Sequence, residues 1–515
     1  MNDATEPAPL RGSRLGILTI AISLATFMEV LDMTIVNVSI PAIAGTLGVS
    51  ATEGTWTISS YTLAAAIMQP LTGWLGRRFG EVRTFAISGF LFIAFSALCG
   101  FATSMPMLVV GRLLQGLVSG PMVPMAQALL LRSYAPEKRG AAMGIWAMVV
   151  FVAPIFGPVL GGWITDNLSW PWLFYINVPV GLIAITVVWS LLRKRDTRRI
   201  KARVDVIGLA LLIVGVGSLQ FALDRGNELD WFESRWIIGA AAAAVMAISL
   251  LIAWELTDRH PVLDLHLFEH RNFTIGLTSI CFGFFCFFGS IVLFPLWLQT
   301  TLGYTAQWAG FAMAPVGILG IVLMPFVGRN INRMNLRLAC CFGFMVMATV
   351  MLWSSVLTAQ SDFLSLAAPR LLQGVGMAFF FMPLQTIMFS DIRPDEFAAA
   401  SGMSSFLRNV AGSIAAAFSV WLWNERIDYH YSVLAGGVQQ NAAWVDWSQR
   451  FAGATGAAAG DPRLLGYTQL QAQLQAQTMG YSDVLLLFTA IILTLMAYVW
   501  LARPPFRGLG AGGAH

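Results

Sequence analysis

Apolar runs long enough to cross a bilayer recur from one end of the chain to the other. They lie near 15–38, 54–76, 84–103, 107–131, 141–163, 171–192, 204–223 and 236–255, and resume near 273–298, 308–328, 336–358, 363–389, 399–424 and 483–502. About 20 apolar residues of helix span the hydrocarbon core. The pattern therefore predicts an all-α polytopic membrane protein of fourteen spans, with both termini on one side. Polar connections between the runs are short except near 425–482. That segment begins Ala- and Gly-rich with scattered Trp, and its later part, from Leu464 to Leu474, reads as a Gln-rich helix. It is either a solvated hairpin or a docking surface for a partner outside the membrane.

The first run is interrupted by two acids, Glu29 and Asp32. Each costs roughly 2.5–3.5 kcal/mol at the centre of a spanning helix. Three residues apart, they share a helix face. Intramembrane acids of this kind point to a proton or a cation as cargo. Arg112 is the natural partner of Asp32. Span one runs outward with Asp32 about six residues from its outer end, and span four begins outside with Arg112 about six residues in, so both lie roughly 8–9 Å below the outer edge. A guanidinium favours the ionised carboxylate, and its loss or dehydration favours the neutral acid, which is the switch a proton-coupled carrier needs. The alternative is a static ion pair that only fixes helix packing. Glu29, one turn deeper, is a second candidate for protons or cationic substrate, or else a neutral, hydrogen-bonded packing residue.

Charge settles orientation. With the N-terminus inside, inner segments hold 23 of the 31 Lys and Arg, outer segments five, and the spans three: Arg112, Arg370 and Arg408. That asymmetry places both termini in the cytoplasm. A repeat sets the architecture. Arg112-Leu113-Leu114-Gln115-Gly116 recurs as Arg370-Leu371-Leu372-Gln373-Gly374, 258 residues on. The register continues without gaps through Gln127 and Gln385, Pro136 and Pro394, Ala141-Ala142 and Ala399-Ala400, Gly144 and Gly402. Two parallel six-helix bundles, 1–200 and 261–515, with a substrate path between them, account for this. The surplus spans fall in 201–260.

Composition closes off other classes. The 515 residues are 57% hydrophobic and 11% charged, with mean hydropathy +0.70, far below the charge of a soluble domain. The net charge of +4 comes from short basic loops and does not suggest nucleic acid. The five cysteines sit in apolar runs without metal spacing, so neither a disulfide framework nor a metal is expected. The first run is too long and too acidic for a cleaved leader. No GxxxxGK[ST], HExxH or GxSxG occurs, and the GxGxxG match at Gly508, Gly510 and Gly513 lies in a tail with no strand before it. No cofactor and no enzyme activity are expected.

Other stretches bear on conformational change and substrate. The turn holding Gly73, Arg77, Arg78, Gly80 and Arg83 joins spans two and three as a conformational latch. In span five, Pro154, Gly157, Pro158, Gly161 and Gly162 weaken the helix and allow close approach, making either a kinked packing face or a hinge and outer gate. Arg408, followed by Asn409, lies near the middle of its span and suits a wet cavity. Met and aromatic residues turned inward would form a deformable apolar pocket. The substrate candidates are Glu29, Gln115, Arg408, Asn409, Phe285, Trp297, Phe380 and Gln385.

These residues carry a family resemblance. Leu31-Asp32-Met33-Thr34-Ile35-Val36-Asn37-Val38-Ser39-Ile40-Pro41, the RxxQG of Arg112, Gln115 and Gly116, and the GPxxGG of Gly157 to Gly162 are similar to motifs of the fourteen-span drug:proton antiporters of the major facilitator superfamily. The latch motif departs, since Arg77 stands where the family has Asp, with Glu81 as a possible substitute. Leu223 to Phe232, Ala314 to Ile318 and Pro504-Pro505-Phe506 resemble the EmrB-type inner-membrane multidrug pumps. The resemblance implies proton-driven export of hydrophobic drugs, uncouplers or fatty acids. It also implies an EmrA-type periplasmic adaptor and a TolC-type outer-membrane channel as partners. A proton-linked carrier for one metabolite is the alternative, and a non-transporting sensor or scaffold is a third reading.

Overall fold

The computed structural model describes residues 12–135, 138–197, 205–258, 261–393, 396–437, 450, 453 and 462–506. Pro136, Pro394, the end of the basic cluster before Asp205, His260, the middle of 425–482 and the C-terminal glycines lie outside the described residues. Every regular element among the described residues is helical. Lipid offers no partner to a backbone N–H or C=O, so apolar segments satisfy their hydrogen bonds internally.

The N-terminal group comprises α1 (Ser13–Ile35), α2 (Trp56–Met68), α3 (Thr72–Phe79), α4 (Glu81–Gly100), α5 (Met105–Ser119), α6 (Met122–Ser133), α7 (Arg139–Asn167) and α8 (Asn177–Leu192). A helical pair follows, α9 (Val206–Gly226) and α10 (Arg235–Glu255). The C-terminal group is α11 (Arg271–Thr301), α12 (Ala306–Met313), α13 (Pro315–Asn330), α14 (Leu336–Ser355), α15 (Phe363–Met388), α16 (Phe397–Gly437) and α17 (Pro462–Tyr498).

Twelve of the helical stretches are long and apolar enough to cross a membrane, or thirteen with the bent pair inside α7. The fourteenth expected span does not qualify as a continuous helix. The 54–76 run breaks into α2 and α3 around Pro70, which has no N–H to continue the ladder; the chain turns there, with the Thr72 N–H reaching the Gln69 carbonyl at 3.1 Å. The bend in α7 measures 46°, between Arg139–Pro154 and Val159–Asn167. Pro154 and Pro158 bound that break.

α1 packs against α7 and α8, and α5 against α2 and α4; in the C-terminal group α15 packs against α13 and α14, and α16 against α11 and α17. The α9–α10 pair packs mainly on itself and touches α2 and α16, one helix from each group. The two groups meet through α7 with α13, and through α3 and α6 with α16. Glycines allow that approach, because membrane helices associate by close packing. A Cβ on Gly73 would press on Ala399, one on Gly402 on the Gln69 carbonyl, and one on Gly140 on Gly328. These contacts all lie at the end of the molecule that carries Arg77, Arg78 and Arg139. A side-chain link joins them there: Gln127 donates to its repeat counterpart Gln385 at 2.9 Å and accepts from Ser401 at 2.5 Å.

Candidate functional site

Asp32 and Arg112 meet at the opposite end, as their matched depths predict. α1 rises about 28 Å from Ser13 to Asp32. Arg112 Nη1 lies 2.5 Å from Asp32 Oδ2, and neither side chain is exposed. The guanidinium has further holds. Nη1 also donates to Gln115 Oε1 at 2.9 Å, Nε donates to the Thr57 carbonyl at 3.0 Å, and the group lies 4.2 Å from the centre of the Tyr61 ring. Tyr61 and Thr57 are on α2, which reaches α5 because position 116 is glycine: a Cβ there would collide with the Tyr61 carbonyl. The exact repeat Arg-Leu-Leu-Gln-Gly thus places its cation, its amide and its small residue on one packed interface.

The other carboxylate oxygen is held from a residue that the sequence did not single out. Asn177, at the start of α8, donates to Asp32 Oδ1 at 2.7 Å and to Ser96 Oγ at 3.0 Å. Ser96 in turn donates to the Phe174 carbonyl at 2.9 Å. Asp32 therefore accepts from one charged donor on α5 and one neutral donor on α8. Its side chain is enclosed by protein. Gly157 on α7 packs on the Thr34 side chain at the end of α1, a place where a Cβ would not fit. The bent helix thereby touches the segment bearing the acid. Gly161 offers its carbonyl to Thr165, whose hydroxyl pairs with Ser39 at 2.6 Å, while Gly162 faces open space.

Glu29 is buried on the same face, and its Oε2 has no hydrogen-bond partner among the described residues. Gly116→Val is expected to force α5 off α2 and strip Arg112 of Tyr61 and Thr57. Overpacking of this sort costs about 1–3 kcal/mol, so a lowered melting temperature in detergent checks it, and an unchanged one refutes the packing argument.

The turn between α3 and α4 carries its acids in other positions. Arg77 and Arg78 are exposed and Arg83 is half-buried. Glu81 pairs with Arg132 on α6 at 2.8 Å, and Asp196, just after α8, accepts from the Val82 N–H at 2.9 Å. Gly80 has φ +92° and sits where a Cβ would strike the Asp196 carboxylate. Two carboxylates thus bind this turn to α6 and to the end of α8, although Arg77 fills the place of the motif's Asp.

The substrate candidates divide by position. Arg408 is buried with its guanidinium 5.7 Å from the Phe284 ring centre and 5.8 Å from that of Phe381. No carboxylate pairs with it among the described residues. Asn409 beside it is partly exposed. Phe285 packs against Phe418 and Phe488. Phe380 is enclosed against Phe344, and Trp297 is stacked on Tyr481, both wholly inside the C-terminal group. Gln115 belongs to the Arg112 cluster and Gln385 to the link with Gln127. No group of three or more His, Cys, Asp or Glu suited to a metal exists among the described residues.

Comparison with known proteins gives the family and the fold. Residues 22–416 match the family model for the Major Facilitator Superfamily. The chain is 45% identical to the multidrug export protein EmrB of Escherichia coli K12, over 99% of this chain and 100% of that one. It is 43% identical to the EmrB of Haemophilus influenzae, over 98% of this chain and 99% of the relative. The fatty acid resistance protein FarB of Neisseria gonorrhoeae is 42% identical over the same shares. Among solved structures, the proton:xylose symporter XylE superposes with TM-score 0.58 at 13% identity, covering 95% of this chain and 99% of that one. The human organic anion transporter MFSD10 does so with TM-score 0.57 at 12% identity, over 94% and 100%. These two likenesses concern the fold.

Proposed function

The chain belongs to the Major Facilitator Superfamily, a family of transporters and not of enzymes, and from that premise we propose that it exports hydrophobic and amphipathic toxic compounds in exchange for protons. The observation that carries this reading is the fully buried Asp32, held by Arg112 on one oxygen and Asn177 on the other. Protonation of Asp32 from the outer side releases Arg112 and favours the inward-open form. Loss of the proton inside restores the pair. Relatives named for multidrug export and fatty acid resistance support the substrate class.

Glu29, Arg408, Asn409 and Phe285 are proposed to hold substrate between the two six-helix bundles. Gln115, Gln385, Phe380 and Trp297 support that cavity from behind. The end rich in Arg77, Arg78 and Arg139 faces the cytoplasm by the basic-residue asymmetry. On that assignment the Gly73, Gly402 and Gly140 contacts and the Gln127–Gln385 link lie at the cytoplasmic end. The hinge is the bend of α7, and the latch is the turn from Gly73 to Arg83. The α2 and α3 segments together form the fourteenth span, with α9–α10 as the additional pair. The membrane is the inner membrane of a Gram-negative cell, and both termini are cytoplasmic.

α16 and α17 are 41 and 37 residues long, about 60 and 55 Å, well beyond the thickness of a bilayer. At the outer edge of the span they are tied together: Asp483 accepts from Arg426 at 2.6 Å and contacts His430 at 2.7 Å. The part of the two helices beyond that tie is the proposed seat of an EmrA-type adaptor leading to a TolC-type channel. Two measurements test the scheme. In proteoliposomes with an imposed pH gradient, several unrelated dyes and long-chain fatty acids are expected to move. Transport confined to one polar metabolite would instead mean a dedicated carrier. Deleting residues 438–461, which join the two long helices in sequence, is expected to leave that flux unchanged while abolishing capture of the adaptor.

A further inference from the structure

The second copy of the repeat has an arginine centre of its own, without the acid. Adding 258 to the residue numbers around Arg112 turns Gln115 into Gln373, Ser96 into Ser354, and Asp32 into Ser290. The structure keeps this correspondence. Arg370 Nη1 donates to Gln373 Oε1 at 2.9 Å, the same distance as Arg112 to Gln115. Its guanidinium lies 4.3 Å from the centre of the Phe294 ring, as Arg112 lies 4.2 Å from that of Tyr61. Nη2 donates to Ser354 Oγ at 2.5 Å. The Ser290 hydroxyl, in the place of the carboxylate, is committed elsewhere: it donates to the Phe287 carbonyl and accepts from Gln373 Nε2.

Among the described residues no acid balances this cation: no carboxylate pairs with Arg370. The side chain is enclosed, and its Nε has no hydrogen-bond partner. Two further enclosed donors nearby also lack an acceptor, the Tyr481 hydroxyl and the Trp297 indole N–H. Tyr481 lies beside the guanidinium, close enough for its hydroxyl oxygen to accept from it while its own O–H finds no acceptor, and its ring stacks on Trp297 at 4.6 Å and 7°. Charge buried without a partner is costly, and unpaired donors add to that cost. A neutral acceptor such as Ser354 or Gln373 satisfies N–H groups and leaves the charge.

We propose that the Arg370 cluster binds a small monovalent anion, chloride in the cell, which does for the second bundle what the Asp32 carboxylate does for the first. The two repeats then divide the work. One holds a covalent acid that exchanges protons, and the other holds a mobile anion that does not titrate in the physiological range. Chloride is a small anion that accepts from several donors at once, and the orphaned N–H and O–H groups here are donors. The proposal concerns stability and anion occupancy, so its test does not depend on transport.

The full-length protein, purified in detergent, is moved from sodium chloride to sodium gluconate at constant pH and ionic strength. It is expected to melt several degrees lower in gluconate, with chloride and bromide restoring the higher value saturably. It is also expected to retain radiolabelled chloride on rapid filtration. Ser290→Asp supplies the missing acid in place. That variant is expected to melt at the same temperature in both salts and to lose the label at least tenfold, while Ser290→Ala keeps the wild-type response. Equal melting of the wild type in chloride and gluconate overturns the proposal and leaves the donors to water. A Ser290→Asp variant that still responds to chloride and retains label overturns it as well, by placing the anion elsewhere.

Discussion

Asp32→Asn is expected to abolish drug-driven proton release from proteoliposomes, down to the level of vesicles without protein. Coupling free energies between linked sites run at about 1–3 kcal/mol, so the loss is at least about fivefold. The geometry separates this effect from unfolding. Asp32 accepts from Arg112 on one oxygen and from Asn177 on the other. An amide of the same size can accept on its single oxygen only, so one of those donors loses its partner. Arg112 nevertheless keeps Gln115, the Thr57 carbonyl and the Tyr61 ring. The neutral side chain also imitates the protonated acid, a state that the transport cycle visits. The variant is therefore expected to remain folded and to bind dye while failing to exchange it for H⁺. Proton release at the wild-type rate would remove Asp32 from the coupling step.

Much of this arrangement is legible in the residues alone. Apolar runs mark the spans because a bilayer tolerates little else, and the paired depths of Asp32 and Arg112 follow from counting along two antiparallel helices. The 258-residue offset likewise predicts that Gln127 and Gln385 occupy equivalent positions, although not that they would hydrogen-bond to each other across the junction. What stays hidden has a common cause. Asn177 lies 145 residues from Asp32 and Thr57 lies 55 from Arg112. Each is an ordinary polar residue at the edge of an apolar run, with no spacing that links it to its partner. A carbonyl acceptor such as that of Thr57 has no signature in sequence at all. The break between α2 and α3 was visible only as Pro70 within a run, and the same residue type sits inside α11, α13 and α15 without ending those helices. Whether a proline bends, breaks or is absorbed depends on which neighbours take up the freed carbonyl.

Arg112→Met is expected to destabilise the protein more than any other single change at the site. It leaves Asp32 enclosed, with Asn177 as its only donor, and it removes the guanidinium from Gln115, Thr57 and Tyr61 together. Stranding one member of a buried pair costs about 3–5 kcal/mol, whereas replacing both members by neutral groups is often close to neutral. Arg112→Met combined with Asp32→Asn is accordingly expected to recover most of the lost stability, measured by thermal or denaturant unfolding in detergent. Coupling is not recovered, because no exchangeable acid remains. The non-additivity of the cycle isolates the pair itself. If the two single losses simply sum in the double variant, the 2.5 Å contact contributes nothing as a pair. Asp32 would then have to respond to its protonation through Asn177 alone, and the release of Arg112 could not be the event that opens the inner side.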